Sequence, residues 1–174
     1  MLFERIARGP GQPAGEGLRV KVEFINPFLE SIDSVFDMML NTTIERQGLR
    51  IGGDDVLRDD HSITSIIGMS GRATGSVALN FPRRTAIELA CRFLGCELTD
   101  VDDNVTDALA ELANIVAGAA KSKFNLDPPP QLSLPTVVVG SGYTMSRPAN
   151  VPWVEVPFTS DAGNFSMCVS FEQH

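Results

Sequence analysis

The chain has 174 residues, 43% of them hydrophobic, which is enough for one well-packed core and too little for two ordinary domains. Its 14 basic and 22 acidic residues give a formal charge of -8, so it lacks the basic surface that neutralises nucleic-acid phosphates. Three cysteines and two histidines also offer little material for a disulfide framework, a multi-histidine metal site or a serine-histidine-aspartate triad.

Residues 1–19 are predicted to form a flexible leader. Within them the stretch GPGQPAGEG has four glycines and two prolines and no apolar periodicity. The N-terminus lacks the apolar core of a signal peptide, and no later run approaches about 20 apolar residues. We therefore expect a cytoplasmic protein without membrane insertion. Its three cysteines are interpreted as buried thiols.

The first half of the chain predicts a helix, a β-hairpin and a second helix. The first helix is expected to begin with Asn26 as N-cap and Pro27 at its first position, followed by apolar residues at helical spacing: Phe28, Ile32, Val35, Phe36 and Met39. An acidic stretch at 52–60 follows, with Asp54, Asp55, Asp59, Asp60 and then His61. It is interpreted as a solvated loop and not as a metal site, because its spacing is not that of an EF-hand.

Two apolar runs, 62–69 and 75–81, are joined by a turn at Gly71 and predict the hairpin. Pro82 then opens a helix that runs to Leu94 and stops at Gly95.

The second half predicts a third helix and three strands. The helix runs from about Asp102 to Phe124, with an acidic first turn and lysines in its last turn. Strands are predicted at 136–139, 154–158 and 165–171, which are rich in β-branched and aromatic residues. Together the segments indicate a single α/β (α+β) domain over residues 20–174. The order of elements also hints at a distant duplication, which the sequence leaves open.

The third helix carries a polar trio. Asp107, Glu111 and Asn114 stand at i, i+4 and i+7 and therefore project from one face. Small residues surround them, among them Ala110 and Gly118, although asparagine and glycine are both unfavourable inside a helix. This pattern is typical of a docking face, but an ordinary solvent-facing stripe has the same composition.

The segment DALAELANIVAGAAK resembles the signature of the CheC/CheX/FliY phosphatases, [DS]-x-x-x-E-x-x-N followed by a later proline. The matching residues are Asp107, Glu111, Asn114 and Pro135. Three further segments are similar to the family in the same order: INPFLESIDSVFDMML, IIGMSGRATGSVALNFP and LPTVVVG. The resemblance covers roughly residues 22–172. Because a single E-x-x-N helix is visible, where CheC usually has two, it favours the CheX branch.

The resemblance implies an aspartyl-phosphate phosphatase whose substrate is a phosphorylated CheY-like receiver domain. It implies that Asn114 orients the attacking water and that Glu111 pairs with a lysine of the receiver, so these two are the expected catalytic residues. Asp107, Ala110 and Gly118 are expected to contact the partner. No cofactor is expected on this chain, since Mg²⁺ belongs to the receiver. The relatives also imply a homodimer. The alternative is a module that binds a receiver, or serves as a dimeric scaffold, without catalysis.

Overall fold

The computed structural model describes residues 22–52, 62–140, 143 and 151–173. Within these ranges the chain forms three helices and eight strands. The helices are α1 (Val22–Leu40), α2 (Arg83–Leu94) and α3 (Asp103–Lys121). The strands are β1 (Ile44–Arg46), β2 (Arg50–Gly52), β3 (Ser62–Ser70), β4 (Ala73–Pro82), β5 (Gln131–Leu132), β6 (Thr136–Val139), β7 (Trp153–Ser160) and β8 (Phe165–Gln173).

The strands form one antiparallel sheet in which two hairpins lie side by side. Strands β3 and β4 form the first hairpin, β7 and β8 form the second, and β4 pairs with β8 at the centre. Strands β1 and β2 both pair with β7, while β5 and β6 both pair with β3. This confirms the predicted α+β class with a mainly antiparallel sheet.

The core lies between the helices and one face of the sheet. Alternate strand residues such as Ile63, Ile67 and Met167 join helix residues such as Phe28 and Leu112 in one buried apolar cluster. On the opposite face Trp153 packs with Ala78 and Cys168 in a smaller cluster. Since a strand points successive side chains to opposite faces, the two clusters are separated by the thickness of the sheet.

The first helix begins earlier than the sequence predicts. It starts at Val22, so Asn26 and Pro27 lie inside it and not at its N-terminus. Phe24 is 6% exposed, and its ring centroid lies 6.0 Å from that of Phe124. Pro27 has no backbone N–H and so removes one hydrogen bond from the helix, but burial of the Phe24 side chain outweighs this loss and stabilises the extra turn.

The prediction for the end of the first helix is also wrong. Met39, expected in the apolar stripe, is 44% exposed, and the neighbouring Met38 is 75% exposed.

Of the three cysteines only Cys168 is buried, whereas Cys91 is partly accessible and Cys96 is exposed. Burial in an apolar site raises the pKa of the Cys168 thiol to about 12.

The hairpin and the second helix are confirmed. Gly71 has a φ of +120° in the turn between β3 and β4, and Gly95 ends α2 with a φ of +68°. The turn between β7 and β8 packs on the start of α2, where Thr85 Oγ1 donates to Asn164 O over 3.0 Å.

The leader, the acidic residues 54–60 and His61 lie outside the described residues. None of the described helices is long and apolar enough to cross a membrane.

Candidate functional site on the third helix

Helix α3 has a well-defined start. Asp102 is its N-cap, and the carboxylate accepts hydrogen bonds from Asn104 Nδ2 at 2.9 Å and from Val105 N at 3.1 Å. Both hydrogen bonds favour the charged carboxylate and so lower the pKa of Asp102, and the bond from Asn104 has the larger effect. Asp103 lies in the first turn and Lys121 in the last, so both charges match the helix dipole.

Four of the polar and small positions form a stripe along this helix. Asp107, Glu111, Asn114 and Gly118 are all exposed. Successive steps of four, three and four residues keep them within about 60° of one another around the helix axis, over a length of about 16 Å. The opposite side of the helix is buried, where Leu109, Leu112 and Val116 are each no more than 2% exposed. We call the four exposed residues the α3 stripe.

Asn114 lies between two small residues on this face of the helix. Its neighbours four residues before and after are Ala110, which is partly buried at the border of the stripe, and Gly118. A methyl group added at Gly118 would have no described atom within 4 Å, apart from its own helix backbone and chain neighbours. Packing against the described residues therefore does not explain this glycine, and the small side chains at 110 and 118 leave room for a partner beside the amide of Asn114.

Besides its buried apolar side, α3 and the residues just after it make two polar contacts with the rest of the described domain. The hydroxyl of Ser65 on β3, a residue that is 1% exposed, donates to the carbonyl oxygen of Leu109 over 3.1 Å. Just beyond the helix, Lys123 Nζ lies 3.4 Å from Glu30 Oε2 on α1. Sequence reasoning did not single out Ser65. The only signal in the sequence is that Ser65 has isoleucines two residues before and two residues after it, so that all three share one face of the strand.

The chemistry available on the stripe is that of an amide and two carboxylates. Among the described residues no cluster of three potential metal ligands is found. A primary amide offers both a hydrogen-bond donor and an acceptor, whereas an ionised carboxylate only accepts. Asn114 is thus suited to hold a water molecule in a fixed orientation, and Glu111 is suited to contact a cation of a partner.

The amino-acid sequence matches the profile of the family described as "Chemotaxis phosphatase CheX" over residues 63–159, more than half of the chain. This chain belongs to the CheX family. The matched segment contains the second and third helices and all but the first residue of the β3–β4 hairpin, and it includes the whole α3 stripe. The expected resemblance is therefore confirmed at the level of the family.

Individual CheX proteins are similar in sequence and in fold. The "CheY-P phosphatase CheX" of Thermotoga maritima is 32% identical over 82 residues, which are 46% of this chain and 53% of that protein. The chain thus matches about half the length of this curated relative. The crystal structure of the chemotaxis protein CheX from Vibrio vulnificus has a TM-score of 0.76 and 32% identity, covering 86% of this chain and 99% of that one.

A third relative was crystallised with a partner. The CheX from Borrelia burgdorferi, in a complex described as CheX-CheY-BeF3-Mg+2, has a TM-score of 0.68 to this chain. It is 23% identical and covers 86% of this chain and 98% of its own, so the likeness shows a common fold.

Proposed function

We propose that this CheX family member hydrolyses the aspartyl phosphate of a CheY-like receiver domain. The observation that carries the proposal is the exposure of Glu111 and Asn114 on one face of a capped and anchored helix. The printed activity of the Thermotoga relative and the CheY partner of the Borrelia relative support it. The pathway is accordingly chemotaxis or a related two-component system in the cytoplasm.

In the proposed reaction Asn114 is the residue that acts on water. Its amide accepts a hydrogen bond from the water and donates one, so that the water oxygen points at phosphorus in line with the leaving oxygen. The new bond forms between water oxygen and phosphorus, the bond between phosphorus and the receiver's aspartate oxygen breaks, and inorganic phosphate leaves. Such phosphoryl transfers depend mainly on positioning and electrostatics, so an amide is sufficient without a histidine base.

Glu111 and the smaller residues of the helix form the proposed docking surface. The carboxylate of Glu111 is exposed and can pair with a lysine of the receiver, one helical turn from Asn114. Ala110 and Gly118 leave space on both sides of the amide, and Asp107 adds a second negative charge at the end nearer the N-cap. The chain would bind no cofactor itself, because Mg²⁺ is supplied by the receiver.

A single mixing experiment tests the function. Purified chain is added to a receiver carrying aspartyl phosphate and Mg²⁺, and phosphate release is compared with that from the receiver alone. Acceleration that is lost in Asn114→Ala and kept in Asn26→Ala, an exposed asparagine of α1, supports the proposal. Binding to the receiver without acceleration would instead identify a non-catalytic binding module. Neither binding nor acceleration with any receiver of the source organism would contradict both functions.

We further propose a symmetric homodimer, as the family resemblance implies. The sheet supplies candidate edges, since β1 and β2 lie along one side and β5 and β6 along the other. Unpaired backbone groups at a sheet edge are a common basis for association between two copies. Light scattering at micromolar concentration should give about twice the chain mass of 18.8 kDa. A monomer would contradict the proposed assembly without affecting the chemistry on α3.

A further inference from the structure

Ser65 is an unusual residue for its place in the core. On β3 it lies between Ile63 and Ile67 on the face that points to the helices, and all three are 1% exposed. Its neighbours across the sheet are Leu79 on β4 and Val137 on β6. A serine surrounded by branched apolar side chains gives up burial that valine or isoleucine would provide, so a specific contact is expected to explain it.

That contact is made to the helix with the α3 stripe. Ser65 Oγ donates to Leu109 O over 3.1 Å, and this carbonyl belongs to the helical turn between Asp107 and Glu111. In an α-helix the same carbonyl also accepts from the amide of residue i+4, here Ala113, the neighbour of Asn114. The small serine lets the helix approach the strand, and the hydrogen bond resists sliding and rotation of the helix on the sheet.

We infer that Ser65 is a positioning residue for Asn114. The inference rests on the proposed phosphatase function. Ser65 lies on the buried side of α3 and touches neither substrate nor partner, so it acts through the helix backbone. A small rotation of α3 would move the short amide of Asn114 away from the attacking water. The longer side chain of Glu111 has more rotatable bonds and absorbs the same shift. Turnover should therefore depend on Ser65 more strongly than binding does.

The experiment compares Ser65→Ala with a matched control, Ser31→Ala. Ser31 is also buried, at 0% exposure, and its hydroxyl donates to a helix carbonyl, Pro27 O, at 2.7 Å, but in α1. Both variants lose one buried hydroxyl and one hydrogen bond. Melting temperature, affinity for a receiver carrying beryllofluoride and Mg²⁺, and the rate of phosphate release from the phosphorylated receiver are measured for each.

We expect Ser65→Ala to lower turnover about 10-fold, since misplacement by a fraction of an ångström is costly in a positioned reaction, and to leave receiver affinity within about twofold. Ser31→Ala should change neither turnover nor receiver affinity. The two variants should nevertheless melt at similar temperatures, because each loses one buried hydroxyl and one hydrogen bond. Ser65→Cys keeps a weak donor at the same place and should retain more turnover than Ser65→Ala.

The outcomes separate the two proposals. If the wild-type chain does not accelerate phosphate release, the proposed function is wrong, and the positioning role fails with it. If the wild-type chain is active and Ser65→Ala turns over at the rate of the Ser31→Ala control, only the positioning role is wrong. Parallel losses of melting temperature, affinity and turnover in Ser65→Ala would also overturn it, because the whole helix would then depend on the serine.

Discussion

Replacing Gly118 by alanine is expected to raise stability while lowering activity. Gly118 is exposed in α3, and an added methyl group meets no described atom within 4 Å outside its own helix backbone and chain neighbours. Glycine inside a helix costs about 1 kcal/mol relative to alanine. Because Gly118 is only three residues from the end of the helix at Lys121, we expect a gain of about 0.5 to 1 kcal/mol. For a domain of this size this corresponds to a rise of about 1 to 4 °C in melting temperature.

Gly95 supplies the matched control. It too has no described atom within 4 Å of an added methyl group, outside its chain neighbours and local helix backbone, but its φ is +68°. Alanine is strained in this left-handed conformation, so Gly95→Ala should lower stability by about 1 kcal/mol or more. The two substitutions add the same methyl group to open space and differ in backbone conformation and in distance from the α3 stripe.

The activities should change in the opposite order. A methyl group at Gly118 lies next to Asn114 on the proposed docking surface, where it would hold the receiver away and reduce turnover about 10-fold or more. Gly95→Ala should turn over normally below its melting temperature. Calorimetry and phosphate release measure the two effects. If Gly118→Ala gains stability and hydrolyses at the wild-type rate, Gly118 is not part of the docking surface. If it loses stability, the assignment of an unstrained helical glycine is wrong.

Four further perturbations have expected outcomes. Asn114→Ala should lower turnover by on the order of 10²-fold, about 3 kcal/mol of transition-state stabilisation, and leave the affinity for the receiver nearly unchanged. Glu111→Ala should also weaken the complex, as measured by titration calorimetry. Both variants should melt close to wild type because the two side chains are exposed. Asp102→Asn should melt below wild type near neutral pH. Since the folded-state pKa of Asp102 is depressed below 3.8, the wild-type advantage should disappear in thermal melts as the pH falls through that folded-state value. Deleting residues 1–17 should leave the melting temperature nearly unchanged, and a drop of many degrees would show that the leader packs on the domain.

Boundaries with strong local signals were predicted almost to the residue, whereas α3 ends at Lys121 and not at Phe124. Helix α2 ends at Leu94 because Gly95 adopts the left-handed conformation, and α3 begins after Asp102 because the aspartate caps it. Strand β6 has the predicted bounds, Thr136–Val139. In each case the residues that determine the boundary lie within a few positions of it, so local chemistry is sufficient. The exposed α3 stripe follows from helical spacing for the same reason.

The features that the sequence did not predict depend on distant residues. The start of α1 depends on Phe24, whose aromatic neighbours are Phe124 and Phe171. Both lie about a hundred positions or more after Phe24, so no local sequence pattern predicts these contacts. The anchoring of α3 by Ser65 joins residues 44 positions apart. A serine on an otherwise apolar strand face indicates a specific hydrogen bond, but the acceptor, Leu109 O, can be identified only from the fold.

The duplication that the sequence left open has a clear counterpart in the sheet. Each half of the chain has a long helix, two short strands and a hairpin, and the short strands of one half flank the hairpin of the other. The register agrees as well: β1 pairs with the end of β7 as β5 does with the end of β3, and β2 pairs with the start of β7 as β6 does with the start of β3. Helix α1 is therefore the counterpart of α3.

The exposed face of α1 repeats the spacing of the α3 stripe but not its chemistry. Its residues at the same intervals are Asn26, Glu30, Asp33 and Asp37, all exposed. Only the glutamate is common to both helices, and Glu30 already has Lys123 Nζ at 3.4 Å. Where α3 has the amide of Asn114, α1 has a carboxylate, which when ionised accepts hydrogen bonds but donates none. Where α3 has Gly118, α1 has a larger charged residue. An amide at the third position with a glycine four residues later thus exists on α3 and not on α1, where Asn26 stands at the first position, and this limits the proposed reaction to one of two geometrically equivalent faces.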